Sequence, residues 1–222
     1  LLQRFSFENI YSTLLFYPKN IEEDGYWRFL EKVDFDEELN VVVVRTVDET
    51  PYEINSKKKI RTSGCALGTV FGNLMDEIDE IKLSPREIKV SILYDLARKI
   101  NTTPSLYLET GAIHGTVLCD YSGPLVYMED VGRHNAVDKI SGWMLNNDVV
   151  GEDKILYTTG RLTSEMVIKA AIMGIPILLS RSGFTAWGVE IAKSVGLTMV
   201  GRLRGERFLC LTGSKNLIFD EK

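Results

Sequence analysis

A chain of 222 residues is long enough for one large domain or two modest ones with a real core. Its 45% hydrophobic and 26% charged residues are ordinary for a soluble globular protein, with no internal repeat and no low-complexity segment. The net charge of −5 divides into −6 over residues 1–128 and +1 over residues 129–222, where six of the twelve arginines lie; this suits a phosphate-bearing ligand better than nucleic acid, which calls for a broad basic face.

No run of about 18 apolar residues is present, so no membrane span is expected. Leu1 to Pro18 is apolar and aromatic, but Arg4, Glu8 and Asn9 interrupt it. It lacks a charged leader and a small-residue cleavage site, so it does not read as a signal peptide. The chain starts at Leu1 rather than Met, so further N-terminal residues are expected ahead of it. Cys65, Cys119 and Cys210 are sparse and odd in number, which argues against a disulfide framework and for a reducing, cytoplasmic setting. Two histidines, His114 and His134, and no CxxC make a structural zinc site an unexpected feature.

In chain order, residues 1–60 are mixed: a hydrophobic opening, an acidic stretch from Ile21 to Glu38, then Leu39 to Val44, a β-branched run that reads as a buried strand. Lys57-Lys58-Lys59 reads as a solvated loop, and Arg61 to Gly68 as an exposed, glycine-punctuated one. Ser84-Pro85-Arg86-Glu87 has the composition of a helix opening, and Ile88, Ile92, Leu93, Leu96 and Ile100 follow at helical spacing. The expected domain boundary falls just before it, giving domains of 1–83 and 84–222. Thr116 to Leu118 and Leu125 to Met128 read as paired strands joined through Ser122-Gly123-Pro124, followed by a helix over Asn135 to Leu145. Strands at Lys154 to Tyr157, Ile175 to Leu179, Leu197 to Val200 and Phe208 to Leu211 alternate with helices at Ser164 to Met173 and Ala186 to Val195. Such alternation predicts a mostly parallel sheet covered on both faces, a three-layer α/β/α domain, beside a smaller α+β N-terminal domain.

Three strand-to-helix turns share a composition: Gly132-Arg133-His134-Asn135, Thr158 to Ser164 (with Thr159, Gly160 and Arg161), and Ser180 to Thr185 (with Arg181 and Ser182). In a parallel sheet such turns gather at the carboxyl ends of the strands. Free N–H groups there favour phosphate, and Arg offers it a bidentate fork. Gly, Ser and Thr also serve simply as helix caps, so one turn alone says little. Arg202-Leu203-Arg204-Gly205-Glu206-Arg207 reads equally as a charged hairpin tip or a pyrophosphate wrap. Glu129, Asp130 and His134 read as structural or supporting groups, and His114 has similar standing. Cys65 sits in a small-residue loop near Arg61 and Lys57 to Lys59, which would favour its thiolate, although a loop cysteine can be incidental. Cys119 and Cys210 fall in apolar runs and read as core thiols.

The run EDVGRHNAVDK (Glu129 to Lys139), with Thr110-Gly111-Ala112-Ile113-His114 before it and Thr159-Gly160-Arg161, Ser180-Arg181-Ser182 and Val200-Gly201-Arg202 after it, resembles the formate dehydrogenase accessory (FdhD) family over about residues 60–213. The resemblance implies a cytidine-deaminase-like C-terminal domain and, in most members, a dimer. It also implies a sulfurtransferase that takes persulfide sulfur from a cysteine desulfurase and delivers it to molybdenum bis(molybdopterin guanine dinucleotide) before formate dehydrogenase is assembled. The family loop Gly-Cys-Gly-x-Cys-Gly reads here Gly64-Cys65-Ala66-Leu67-Gly68, so Cys65 takes the persulfide position and Gly68 replaces the second cysteine. The family's basic cofactor-binding segment falls on Arg202 to Arg207, with Arg202 where an aromatic residue is usual.

A zinc-dependent deaminase, the chemistry suggested by that fold, needs His-x-Glu and Pro-Cys-x-x-Cys. Neither histidine is followed by Glu at that spacing and no cysteine pair exists. The loss of the second loop cysteine keeps a non-catalytic cofactor chaperone in play. An ordinary nucleotide-binding regulator would bind ATP and GDP alike, whereas the favoured reading predicts a guanine preference.

Overall fold

The structure, a computed structural model, describes residues 30–36, 41–46, 78 and 80–220. Cys65 and its loop lie outside the described residues. Strands β1 (Leu30–Asp36) and β2 (Val41–Thr46) form an antiparallel hairpin. The helix expected from Ser84 begins later. Residues 81–87 are irregular, Ile88–Lys89 (β3) pairs in parallel with Leu217–Ile218 (β10), and helix α1 runs over Val90–Thr102. The Ser84 capping signal is overridden because the backbone at Ile88 is claimed by the distant C-terminal segment. Val90, Leu93, Leu96, Ala97 and Ile100 give α1 a buried stripe at three- and four-residue spacing. Thr103, which precedes Pro104, ends it in extended conformation.

The main sheet has six strands: β4 (His114–Cys119), β5 (Pro124–Asp130), β6 (Ile155–Thr158), β7 (Ile177–Ser180), β8 (Thr198–Arg204) and β9 (Arg207–Thr212). Their order is β5-β4-β6-β7-β8-β9. Parallel pairing is confined to β6-β7 and β7-β8; β4 runs against both its neighbours, and β9 returns against β8. The expectation of a mostly parallel sheet is therefore corrected to a parallel centre with antiparallel flanks. The cause is two short hairpins, which reverse direction without a crossover helix.

Helices α3 (Arg133–Asn146), α4 (Ser164–Ile172) and α5 (Ala186–Val195) cover one face of this sheet. There Val137, Ile140, Met166, Ile168 and Ala192 pack with Leu118, Leu156, Leu178 and Met199. The alternate strand residues, Val117, Ile155, Tyr157, Ile177, Leu179 and Val200, pack against α1 on the other face. Every residue of β6 and β7 is buried, as central strands covered on both faces require. Each large aliphatic side chain buried there stabilises the fold by roughly 1.5–3 kcal/mol. Ile78 belongs to the α3–α5 side of this core. Helix α2 (Leu106–Thr110), unanticipated from the sequence, is capped by the Ser105 hydroxyl and closed by Gly111 at φ 64°. Among the described residues no helix is long and apolar enough to cross a membrane.

Candidate functional site

The turns that follow β5, β6, β7 and β8 emerge at one edge of the sheet. Register places His114 opposite Asp130, Thr116 opposite Thr158, and Thr158 opposite Ser180. Buried hydroxyls bind these turns together. The Ser180 hydroxyl donates to the Gly160 carbonyl at 2.6 Å, and Ser180 Oγ accepts from Ser182 N at 2.9 Å. Thr158 Oγ1 accepts from Gly160 N at 3.1 Å, and Thr159 Oγ1 accepts from Gly115 N at 3.0 Å. Arg202 N donates to the Ser182 carbonyl at 2.9 Å, which ties the fourth turn to the third.

On the α3–α4 side, Gly160 lies directly against Arg133: a Cβ on Gly160 would stand 2.8 Å from Arg133 Cβ. Glycine is required there for that contact. Gly132 is the N-cap of α3 without a side-chain cap, and Arg133 Nε is buried with no hydrogen-bond partner. Beneath them Lys139 pairs with Asp130 at 2.9 Å, and Lys169 bridges Asp138 at 2.5 Å and Glu165 at 3.8 Å. Burial pushes the Asp138 carboxyl up against the pull of Lys169. His134 Nε2 stands 3.2 Å from Glu165 Oε2 but outside hydrogen-bond geometry. Burial, aided by Arg133 and Lys169, lowers the His134 pKa to about 3, so the ring is neutral and this contact is not an ion pair. Burial and the charges of Arg133 and Arg161 also lower His114. Glu129 caps helix α2, accepting from Tyr107 N at 2.7 Å and Leu106 N at 3.1 Å, while Asp130 Oδ1 accepts from Gly132 N at 2.9 Å. Both carboxylates build the scaffold.

On the α1 side, Arg181 Nη1 donates to Asn101 Oδ1 at 2.8 Å, and its guanidinium lies 5.9 Å from the centre of the Tyr107 ring. Arg204 Nε donates to the Arg181 carbonyl at 3.2 Å. Arg202 to Arg207 is the tip of the β8–β9 hairpin, with Arg202 at φ 54° and Gly205 at φ 57°. Arg202, Arg204, Glu206 and Arg207 are exposed, as is Arg161, whereas the Leu203 side chain is fully buried against the α1 core and does not reach the surface. An open groove of about 850 Å³ runs along the hairpin, lined by Arg202, Arg204, Arg207, Tyr94, Phe208 and Leu209.

The predicted residues thus converge on one sheet edge but divide between two sides: Arg133 packs against Gly160 at the α3–α4 helix starts, while Arg181 and the hairpin face α1. Sequence reasoning missed Asn101, Tyr107 and Tyr94. The signal available was the seven-residue spacing of Tyr94 and Asn101, which puts both on one face of α1. Cys119 is buried, which pushes its thiol up to about 12, and burial also raises Cys210, whose Sγ donates to the Thr212 carbonyl at 3.3 Å. Neither of these two thiols is prepared as a nucleophile. Among the described residues no group of His, Cys, Asp and Glu could hold a metal ion.

The family profile described as FdhD/NarQ matches residues 26–218. The chain belongs to the FdhD/NarQ family. The FdhD/NarQ match starts well before residue 60, so it takes in N-terminal sequence that carries no recognisable motif. A protein named sulfur carrier protein FdhD from Bacillus subtilis is 31% identical over 214 residues, covering 88% of this chain and 80% of that one. The protein of the same name from Wolinella succinogenes is 35% identical over 159 residues, 71% of this chain but 55% of the relative, so the match spans little more than half of that protein. The relative of that name from Saccharolobus solfataricus is 34% identical, covering 81% of this chain and 69% of its own. A crystal structure of a Desulfotalea psychrophila protein, described as a formate dehydrogenase accessory protein, superposes with a TM-score of 0.70 at 27% identity. It covers 95% of this FdhD/NarQ chain and 79% of its own.

Proposed function

We propose that this chain is a cytoplasmic sulfur carrier in formate dehydrogenase maturation. In this reading, Cys65 passes persulfide sulfur from a cysteine desulfurase to molybdenum bis(molybdopterin guanine dinucleotide). The carrying observation is the FdhD/NarQ match over residues 26–218, a span that includes Cys65. The Cys65 thiolate attacks the outer sulfur of the desulfurase persulfide; the donor S–S bond breaks, its electron pair leaves on the donor thiolate, and a new S–S bond forms at Cys65. The Cys65 S–S bond then breaks as the outer sulfur passes to the client cofactor in its reduced state, whose metal supplies the two electrons; the Cys65 thiolate leaves, and formate dehydrogenase receives the product. The protein works as a homodimer.

The residues present suit a phosphate-rich client. Three hairpin arginines are exposed beside an open groove, and Arg133 Nε is buried without a partner next to the uncapped start of α3. Gly132, Arg133, Thr159, Gly160, Arg161, Arg181, Ser182 and the segment Arg202 to Arg207 would hold the guanine-dinucleotide arms through arginine forks and free N–H groups.

Intact-protein mass spectrometry after incubation with a cysteine desulfurase and cysteine tests the carrier. A sulfur-sized, reductant-removable mass gain in the wild type that vanishes in Cys65→Ser is the expected result. No gain in the wild type, with an active desulfurase, favours the alternative of a non-catalytic cofactor chaperone. Gly68 in place of the second loop cysteine is the observation behind that alternative.

A further inference from the structure

Two helices hold the guanidinium of Arg181. Asn101, on α1, accepts from Nη1 at 2.8 Å, and the ring of Tyr107, on α2, lies under the guanidinium with its centre 5.9 Å away. Asn101 is fixed in turn: its amide donates to the Ala97 carbonyl one turn back and reaches the hydroxyl of the buried Tyr157 at 3.4 Å. The main chain of Arg181 is tied as well, its N–H to the Thr158 carbonyl at 3.2 Å and its carbonyl to Arg204 Nε at 3.2 Å. An arginine free in solvent loses rotamer freedom when it takes hold of an anion, and that loss is subtracted from its affinity. A side chain already ordered by its neighbours avoids most of the loss.

Tyr107 depends on a more distant residue. Helix α2 has five residues and buries none of them, so core packing does little to place it. Side chains hold its start instead. Ser105 Oγ accepts from Leu108 N at 3.3 Å, and both oxygens of Glu129 are taken, one by Tyr107 N at 2.7 Å and the other by Leu106 N at 3.1 Å. Glu129 heads the motif EDVGRHNAVDK, whose other acids, Asp130 and Asp138, are locked to Lys139 and Lys169 beside α3 and α4. Strand alternation sends Glu129 to the opposite face of β5 from Asp130. There its carboxylate places the helix that carries Tyr107.

We propose that Asn101, Tyr107 and Glu129 are positioning residues for Arg181. Asn101 and Tyr107 hold its guanidinium ready for a phosphate, and Glu129 sets Tyr107 by fixing the start of α2. The assignment rests on the cofactor-binding reading above, in which Arg181 is a phosphate-binding cation, and adds three residues that act only through it.

Calorimetric titration of the full chain with GDP, arranged as double-mutant cycles on Arg181, tests it. Arg181→Ala is expected to weaken GDP by roughly tenfold or more, the worth of hydrogen bonds to a charged group. Asn101→Leu, Tyr107→Leu and Glu129→Gln are each expected to weaken it by roughly three- to tenfold, as Arg181 regains its freedom. Tyr107→Phe keeps the ring face and should bind like the wild type. In the Arg181→Ala background the same three substitutions should change affinity by less than about twofold. Residues that merely support the fold weaken GDP equally in both backgrounds, and that additive result overturns the proposal. Wild-type affinity in Asn101→Leu and Tyr107→Leu overturns it too, and in Glu129→Gln alone it removes Glu129. Should Arg181→Ala bind like the wild type, the positioning roles fall while the cofactor-binding reading stands on the other arginines. A wild type that binds no GDP overturns both. Thermal unfolding confirms folding of each variant; Tyr107 lies on a helix with no buried residue, so Tyr107→Leu folds even if Asn101→Leu does not.

Discussion

Charge is handled differently on the two sides of the sheet edge. Between α3 and α4, Asp130, Asp138, Lys139, Glu165 and Lys169 are shielded from solvent and locked to one another, with side-chain exposures of 8–17%. At the β8–β9 hairpin, Arg202, Glu206 and Arg207 stand in solvent and form no ion pair with any described residue. The helix-side cluster is the densest polar motif in the sequence, yet most of its charges are spent holding two helices and the β5 turn in place. The hairpin has the composition of an ordinary solvated tip, yet its side chains are the ones free to meet a ligand. Density of functional groups in a motif therefore indicates cross-linking as readily as chemistry, and satisfaction of each group separates the two.

The sharpest way to break this contrast is to remove one member of the buried set. Lys169→Ala leaves Asp138 and Glu165 without their cation in a buried setting, and is expected to lower stability by about 3–5 kcal/mol. Arg207→Ala on the exposed side should stay within about 0.5 kcal/mol of wild type. Urea unfolding of both variants measures the difference. Similar losses in the two would dissolve the contrast between scaffold and ligand surface.

A further test uses pH. His134 has its folded pKa lowered to about 3 by burial and its cationic neighbours. The unfolded chain takes up a proton on this ring near pH 6.5 while the folded chain does not. Its contribution is therefore fully present above pH 6.5 and is lost as pH falls from there toward 3. The slope is at most about 1.4 kcal/mol per pH unit, somewhat less because the ring is not fully enclosed. His114, lowered in the same direction, adds to it. Unfolding midpoints between pH 7 and pH 5 should fall in the wild type and fall less in His134→Gln. An unchanged slope in that variant would place His134 outside the buried network.

Much of this contrast was hidden from sequence for reasons of chain separation. Strand and helix order from β4 to β9 was legible because each element carries its own period and punctuation; α5 is bounded by the Thr185 cap and by Gly196 at φ 78°, both readable. Helix α2 was not, since its five residues have no buried face and its start is held by Glu129, over twenty positions away. The Ser84 signal failed because Leu217 and Ile218 recruit Ile88 as a strand. At the site, the arginines could be picked out as phosphate-binding types. What each one touches could not: Arg181 is held by Asn101, 80 positions earlier, and Gly160 serves as a seat for Arg133. Local pattern names the residue types at an edge; long-range packing decides which side they face.

The smallest effect concerns Arg202. Its φ of 54° is left-handed, a conformation that costs a non-glycine residue roughly 1–2 kcal/mol, and it sits in the irregular stretch of β8 between Gly201 and Arg204. Its N–H is held by the Ser182 carbonyl, so the backbone there is fixed by the neighbouring turn rather than by Arg202 itself. Arg202→Gly should therefore raise stability by up to about 1 kcal/mol, partly offset by the greater freedom of glycine in the unfolded chain. The same substitution should weaken GDP binding, whereas Arg202→Ala keeps the strain and loses the same cation. Opposite movements of stability and affinity in Arg202→Gly, measured by urea unfolding and calorimetry, mark a strained residue retained for its ligand. A substitution that lowers both would return Arg202 to the scaffold and leave Arg204 and Arg207 as the hairpin's ligand-facing cations.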